Sequence, residues 1–129
     1  MSDSGLDVLR SVLDIPVIGP GRFAYMLALT LGSRFAVVTM TLEQKLLYTR
    51  KLQQYGIADR CVSVRGIMEG DEIDYSGAFD GDEKQAIYFP RLVQQAMAAI
   101  EEDGADVIVL GSTNMFKAAP YMAERLPVP

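Results

Sequence analysis

The chain has 129 residues, half of them hydrophobic, which is close to the commonest size of a single folded domain. Its net charge is −5, with 12 Lys and Arg against 17 Asp and Glu, which argues against a surface for nucleic acid or anionic membranes. One cysteine, Cys61, and no histidine exclude an internal disulfide, a Cys-rich metal site and His-based nucleophile pairs. We therefore expect no metal, and a small molecule or a protein as the partner.

No targeting or membrane signal is evident at the N-terminus or elsewhere. Residues 1–4 are not basic, and no apolar run approaches the roughly 20 residues that span a bilayer. We therefore expect a cytoplasmic protein with no membrane association.

The first half of the chain alternates helical and extended patterns. Apolar residues three and four apart indicate helices, and short apolar runs indicate strands. In chain order the patterns predict a leading helix within residues 1–13 capped by Asp3 or Ser4, a strand at 15–18, a turn at 19–21, a helix at 22–31, a strand at 35–39, and a helix at 42–55 whose buried stripe is Leu42, Leu46, Thr49, Leu52 and Tyr55.

The second half continues the alternation. It predicts a strand at residues 61–64, a long loop at 66–82, a helix to about Asp103 that Pro90 either opens or kinks, a strand at Val107–Leu110, a helix at about 113–125 and the start of a further strand at 127–128. Short connections between alternating strands and helices favour a doubly wound α/β fold. We predict one domain over residues 1–129, in which a mainly parallel sheet of four or five strands occupies residues 15–129.

In such sheets, ligands bind outside the carboxyl ends of the strands. Three turns are predicted to converge on that edge, at residues 19–21, 39–41 and 111–114. The last is the most informative, because the apolar run at Val107–Leu110 stops at Gly111 and three small polar residues follow.

Ser112, Thr113 and Asn114 form a candidate anion site. N–H groups that open a helix have no partner within it and sit at the positive end of the helix dipole, so they suit a carboxylate or another oxyanion. The three side chains are positioned to reach the same space. The alternative is that Ser112 or Thr113 simply caps the helix.

Thr39 and Thr41 are predicted to hold the other side of a carboxylate, through the Thr39 hydroxyl and the Thr41 backbone. The alternative is that Thr41 is an ordinary helix N-cap, with Glu43 and Gln44 in the first turn.

Three further features favour structural interpretations. Residues 19–24 match G-x-G-x-x-A, but the acidic residue that a dinucleotide site needs after the next strand is replaced by Thr39-Met40-Thr41, so a tight turn is favoured. The acidic residues between Asp71 and Glu83 lack the spacing of a calcium loop. Cys61 begins a strand, away from the ligand edge, and is interpreted as structural.

Four segments form a recognisable set in their order and spacing: residues 4–7 (Ser-Gly-Leu-Asp), 14–20 (Asp-Ile-Pro-Val-Ile-Gly-Pro), 35–39 (Phe-Ala-Val-Val-Thr) and 102–111 (Glu-Asp-Gly-Ala-Asp-Val-Ile-Val-Leu-Gly). On these segments the chain resembles the aspartate/glutamate/hydantoin racemase superfamily over nearly its whole length. The resemblance implies two similar α/β lobes with the ligand between them. It also implies cofactor-free proton abstraction and return, beside a carboxylate or imide, by two cysteines.

The chain departs from that pattern at both cysteine positions. One position precedes the match to residues 2–5, where this chain has Met1-Ser2-Asp3, and the other is held by Ser112. A serine hydroxyl is far less acidic than a thiol, whose pKa is about 8.5. Ser112 is thus a weak candidate for proton transfer and a good hydrogen-bond donor.

The leading hypothesis is a cofactor-independent racemase or isomerase acting on a small carboxylate, amino acid or hydantoin-like compound, bound by Thr39, Thr41, Ser112, Thr113 and Asn114. The alternatives are a catalytically silent binding or regulatory lobe, and a decarboxylase of the same superfamily. A single lobe is expected to expose its cleft wall. We therefore expect a homodimer, or a complex with a missing second lobe, that buries residues 19–23 and 115–121.

Overall fold

A computed structural model describes residues 3–68 and 79–129. Its helices are α1 (Leu6–Val12), α2 (Pro20–Leu31), α3 (Lys45–Gln54), α4 (Asp82–Glu101) and α5 (Ala119–Ala123), and its strands are β1 (Phe35–Thr41), β2 (Cys61–Met68) and β3 (Val107–Leu110). Short 3-10 helices cover Leu42–Gln44, Ala58–Arg60 and Thr113–Ala118. The prediction of a loop at 66–82 is corrected at its start, because β2 extends to Met68. Residues 69–78, which include Asp71, Glu72 and Asp74 of the acidic residues, lie outside the described residues.

The three strands form a parallel sheet in the order β2-β1-β3. Every residue of the central strand β1 is buried, which explains its continuous apolar sequence. Val37 of β1 is in register with Val64 on one side and Val109 on the other. The doubly wound parallel α/β class is confirmed, with three described strands rather than four or five.

Helices cover both faces of the sheet. On one face α2 and α3 pack around Tyr25, Phe35 and Leu52, and on the other α4 and α5 pack around Leu92 and Met122. The longest, α4, has 20 residues and contains Pro90 in its interior. Within the described part of the chain, no helix combines the length and apolar character needed to cross a bilayer.

Two of the predicted strands are absent from the sheet. Residues 15–18 form no strand, since Pro16 lacks a donor and Ile15 and Ile18 are 67% and 69% exposed, so no core packing holds them in place. Residues 127–128 also form no strand. A single hydrogen bond, from the N–H of Ile108 to the carbonyl of Pro129 at 2.8 Å, attaches that segment to the outer edge of β3.

The Asp3 carboxylate caps α2 instead of the leading helix. It accepts hydrogen bonds from the N–H groups of Gly21 at 2.8 Å and Arg22 at 2.6 Å, while α1 has no side-chain cap. The same carboxylate accepts from the hydroxyl of Tyr55, which follows the C-terminal end of α3. Through Asp3, the turn at 19–21 is therefore linked to the C-terminal end of α3. Ala24, near the start of α2, also lines a cavity with Ser112 and Thr113, and the convergence of the turn at 19–21 with the other two at the ligand edge stays a prediction.

Candidate functional site

The candidate site lies where the chain leaves β1 and β3 toward opposite faces of the sheet. After β1 the chain enters α3 on one face, and after β3 it enters the 3-10 helix and α5 on the other. Such a topological switch point between neighbouring parallel strands opens a crevice at their carboxyl ends, and ligands bind there in sheets of this kind. We call the site here the switch-point crevice, formed by Thr39, Gln44, Tyr48, Gly111 and Ser112.

Gly111 is enclosed by side chains from the neighbouring elements. The Tyr48 hydroxyl donates to its carbonyl at 2.5 Å, and its own N–H donates to the carbonyl of Val38 at 2.7 Å. A Cβ atom here would lie 2.8 Å from both the Thr39 Cβ and the Tyr48 hydroxyl oxygen. Glycine is required at this position because the turn after β3 passes so close to β1 and α3.

Thr39 lies at the floor of the crevice and is fully buried. Its hydroxyl donates to Oε1 of Gln44 at 2.7 Å and lies 3.2 Å from the hydroxyl of Tyr48. Burial raises the pKa of Tyr48, so this group remains a neutral hydroxyl. The Thr39 hydroxyl thus has protein partners, and a ligand role for it stays a prediction.

Thr41, the last residue of β1, is also fully buried. It occupies the N-cap position of the Leu42–Gln44 helix, yet its side chain makes no capping hydrogen bond there. The two threonines therefore face the protein interior. The groups that border the open side of the crevice come from the segments that follow the strands.

Ser112 caps the 3-10 helix Thr113–Ala118. Its Oγ accepts from the N–H of Asn114 at 3.3 Å, and its carbonyl accepts from the N–H of Met115 at 3.1 Å. The capping role that the sequence offered as an alternative is thus observed. Ser112 is half-buried, and Thr113 and Asn114 are exposed, so all three border open space.

Two apolar cavities flank the outer edge of β3. One, of ≈ 370 Å³, lies against α2 and reaches Ser112 and Thr113, and the other, of ≈ 470 Å³, lies against α5. Ile108, Leu110 and Pro129 border both of them. The crevice is thus continuous on one side with an apolar groove along the edge of the sheet.

Cys61 lies outside the crevice, at the amino end of β2. Its thiol donates to the carbonyl of Ser63 at 3.4 Å, and burial raises its pKa to about 11. The described residues also contain no group of three or more His, Cys, Asp or Glu side chains placed to hold a metal ion.

Sequence reasoning missed Gln44 and Tyr48 because it drew the start of the buried stripe through Leu42 and Leu46, which are 48% and 58% exposed. Leu52, which the predicted stripe contains, is 2% exposed, and so is Tyr48, which the stripe leaves out. Tyr48, Leu52 and Tyr55 also have helical spacing, and this was the available signal.

A doubly wound α/β domain with a polar crevice at its switch point defines a class of small-molecule-binding domains. Within that class, the sequence profile described as Asp/Glu/Hydantoin racemase matches residues 1–129. The chain belongs to the Asp/Glu/hydantoin racemase family.

Individual relatives agree with this assignment. The chain is 33% identical over 127 residues to a hydantoin racemase from Pseudomonas sp. (strain NS671), covering 98% of this chain and 48% of the relative. It is 30% identical over 131 residues to a hydantoin racemase from Paenarthrobacter aurescens, covering 98% of this chain and 51% of the relative. The chain therefore spans about half the length of the curated relatives it matches.

Solved structures match the fold closely. An allantoin racemase from Pseudomonas fluorescens superposes with a TM-score of 0.84 at 29% identity, over 96% of this chain and 50% of that one. An allantoin racemase from Klebsiella pneumoniae superposes with a TM-score of 0.85 at 28% identity, over 99% of this chain and 49% of that one.

Proposed function

We propose that the chain is one lobe of a cofactor-independent racemase that acts on a hydantoin-like cyclic ureide. The proposed reaction removes and returns the proton on the ring carbon between a carbonyl group and a nitrogen. The observation that carries this proposal is the neutral polar lining of the switch-point crevice. The family membership and the names of the relatives support it.

The side chains around the crevice favour a neutral ligand. Thr39, Gln44, Tyr48 and Ser112 supply hydroxyl and amide groups, and none of them is charged. A cyclic ureide offers N–H donors and carbonyl acceptors that complement such groups. A dicarboxylic amino acid would instead require a cation. Lys117, which follows Ser112 in the same segment, is paired with Asp80 at 2.5 Å.

Ser112 is the candidate proton-transfer group, because the resemblance places it where the family has its second cysteine. Asn114 donates its N–H to the Ser112 oxygen, which stabilises a developing negative charge there. A hydroxyl is still a much weaker acid than a thiol, so we expect slow exchange. Racemisation also needs an acid or base on the opposite face of the substrate, and none of the residues described around the crevice is assigned that role.

Solvent exchange tests the proposal. An enantiopure 5-substituted hydantoin is incubated with the protein in D2O, and loss of the ring C–H signal is followed by NMR. We expect exchange above a protein-free blank, no excess exchange with Ser112→Ala, and faster exchange with Ser112→Cys. Ser33→Ala, in the turn before β1, is the matched control. Absence of exchange in both the native protein and Ser112→Cys contradicts a racemase lobe.

A catalytically silent binding lobe is the second candidate, favoured by serine at the cysteine position. In that case hydantoin binds, its ring C–H does not exchange with solvent above the protein-free blank, and Ser112→Cys does not increase the exchange rate. Titration of the protein with hydantoin, followed by NMR chemical shifts, separates this outcome from the absence of any ligand.

A further inference from the structure

We infer that the side-chain amide of Gln44 is a ligand-binding group of the switch-point crevice, and that Tyr48 is the positioning residue that holds the floor beneath it. This inference rests on the proposed function for its ligand class, a cyclic imide or ureide. Neither residue belongs to the site predicted from the sequence.

The orientation of the Gln44 amide follows from its contact with Thr39. The Thr39 hydroxyl has one hydrogen, and its shorter contact, at 2.7 Å, is with Oε1 of Gln44. With Oε1 facing Thr39, the Nε2 group and its two hydrogens point away from that hydroxyl. No described residue accepts a hydrogen bond from Nε2, and Gln44 is only half-buried. The amide therefore presents two donors to a ligand.

These donors lie beside the turn that carries Ser112. The Thr39 hydroxyl oxygen, which donates to Oε1 of Gln44, is 2.9 Å from the position of a Cβ atom at Gly111. One hydroxyl group thus separates the Gln44 amide from Gly111, and Ser112 is the next residue. A ligand that reaches the Ser112 hydroxyl is within reach of Nε2 of Gln44.

Tyr48 fixes the geometry from below. It lies four residues after Gln44, on the same side of the helical segment, and its single hydrogen is used on the carbonyl of Gly111 at 2.5 Å. Its oxygen is 3.2 Å from that of Thr39, so Thr39 is held between Tyr48 and Gln44. Loss of the Tyr48 hydroxyl removes the tie between the Gln44 side and the Ser112 side of the crevice.

The two N–H donors of the Gln44 amide can stabilise the charge that develops in the proposed reaction. When the ring proton passes to the ionised Ser112 oxygen, the electron pair of the C–H bond shifts toward the adjacent carbonyl, and negative charge accumulates on the carbonyl oxygen. An amide donor bonds this developing oxyanion more strongly than the neutral carbonyl. We therefore expect Gln44 to support the exchange rate as well as binding.

The test uses hydantoin, succinimide and acetate as probes, with NMR titration of the side-chain amide signals. We expect hydantoin and succinimide to shift the Gln44 signals. Gln44→Leu should weaken hydantoin binding about tenfold, the equivalent of one hydrogen bond of about 1.4 kcal/mol. Gln44→Glu keeps an acceptor for Thr39 and removes both donors, so it should weaken binding at least as much. Gln53→Leu and Gln53→Glu, on an exposed position of α3, are the matched controls.

Tyr48→Phe tests the positioning role through the NMR signals of the Gln44 side-chain amide, which a general loss of stability does not shift selectively. We expect it to shift the Gln44 amide signals of the free protein while those of Gln53 stay in place, and to weaken hydantoin binding in a folded variant. This inference alone is overturned if the native protein binds hydantoin but the Gln44 signals do not move, and Gln44→Leu binds hydantoin with unchanged affinity. A native protein that binds neither hydantoin nor succinimide, whether or not it binds acetate, overturns both this inference and the proposed function.

Discussion

The hydroxyl of Tyr48 and the carbonyl of Gly111, 63 residues apart in the chain, are joined by a buried hydrogen bond of 2.5 Å. Tyr48 belongs to the helix that follows β1, and Gly111 to the turn that follows β3. The bond therefore ties together the two segments that diverge at the switch point. The shape of the crevice therefore depends on a contact that spans the switch point, where the chain leaves β1 and β3 toward opposite faces of the sheet.

Tyr48→Phe is expected to lower the free energy of unfolding by about 1 kcal/mol, because it removes the hydroxyl that bonds the Gly111 carbonyl. Urea denaturation followed by circular dichroism measures this change. Tyr88→Phe is the control, since no hydrogen bond of the Tyr88 hydroxyl is found within the described residues. Equal effects of the two variants would contradict the prediction.

Gly111→Ala is expected to destabilise the protein by roughly 1 to 3 kcal/mol, because the new Cβ atom meets Thr39 and Tyr48 at 2.8 Å. The same urea titration detects it, and Thr113→Ala on the exposed part of that turn serves as the control. An unchanged unfolding midpoint would show that the turn adjusts freely.

Asp3→Asn is expected to lower the free energy of unfolding at neutral pH. It should also make the free energy of unfolding less sensitive to a fall in pH. Burial works to raise the pKa of Asp3, but hydrogen bonds from the Gly21 and Arg22 amides and from Tyr55 outweigh it and lower the pKa. The folded state then binds this proton less readily than the unfolded chain. The stabilisation is therefore complete above about pH 4 and is lost as the pH falls through the lower pKa of the folded state.

At neutral pH the variant should lose roughly 1 kcal/mol, as is typical of a lost helix cap. Thermal unfolding between pH 2 and 7 is the measurement, and Asp14→Asn, at an exposed position, is the control. A native protein whose acid profile matches that of Asp3→Asn would contradict the prediction.

Cys61→Ser is expected to leave hydantoin affinity within about twofold and to cost about 1 kcal/mol of stability, because a hydroxyl replaces a half-buried thiol. The raised pKa also predicts slow alkylation of the native protein by iodoacetamide at pH 8. Rapid alkylation, or a large loss of affinity in a folded variant, would place the thiol at the site.

The protein is expected to associate, as a homodimer or with a second lobe, through Phe23 and Phe116, whose side chains are 56% and 66% exposed. The predicted interface segment 115–121 needs one correction, because Met115 is fully buried in the core of the chain itself. Sedimentation over a concentration series measures association, and Phe116→Ser should weaken it more than the control Ile87→Ser. A monomer at every concentration would contradict this expectation.

The fold class and the end of β3 are readable from the sequence because both depend on local patterns. Alternating helical and apolar segments define a doubly wound sheet, and the abrupt stop at Gly111 marks the end of a strand. Strand number is different, since an extended segment joins a sheet only if a neighbour pairs with it. Residues 15–18 have a strand-like composition, and none of the described strands pairs with them.

The details of the crevice depend on contacts that no local pattern encodes. The helix after β1 carries two possible buried stripes that share Leu52, and its packing against the sheet buries the one that contains Tyr48. The partners of Asp3 lie 18, 19 and 52 residues away along the chain. Periodicity shows that an element exists, and packing alone decides which of its side chains meet.

The outer edge of β3 has a consequence for the behaviour of the protein in solution. An uncovered sheet edge is a template on which further strands add, and this leads to aggregation. Here the Pro129 carbonyl accepts the hydrogen bond of the Ile108 N–H. Pro127 and Pro129 have no N–H with which to continue the hydrogen bonding to a further strand. Residues 127–129 accept one hydrogen bond from the sheet and carry a single N–H, that of Val128, so they give a further strand few donors to pair with and protect this edge against strand addition.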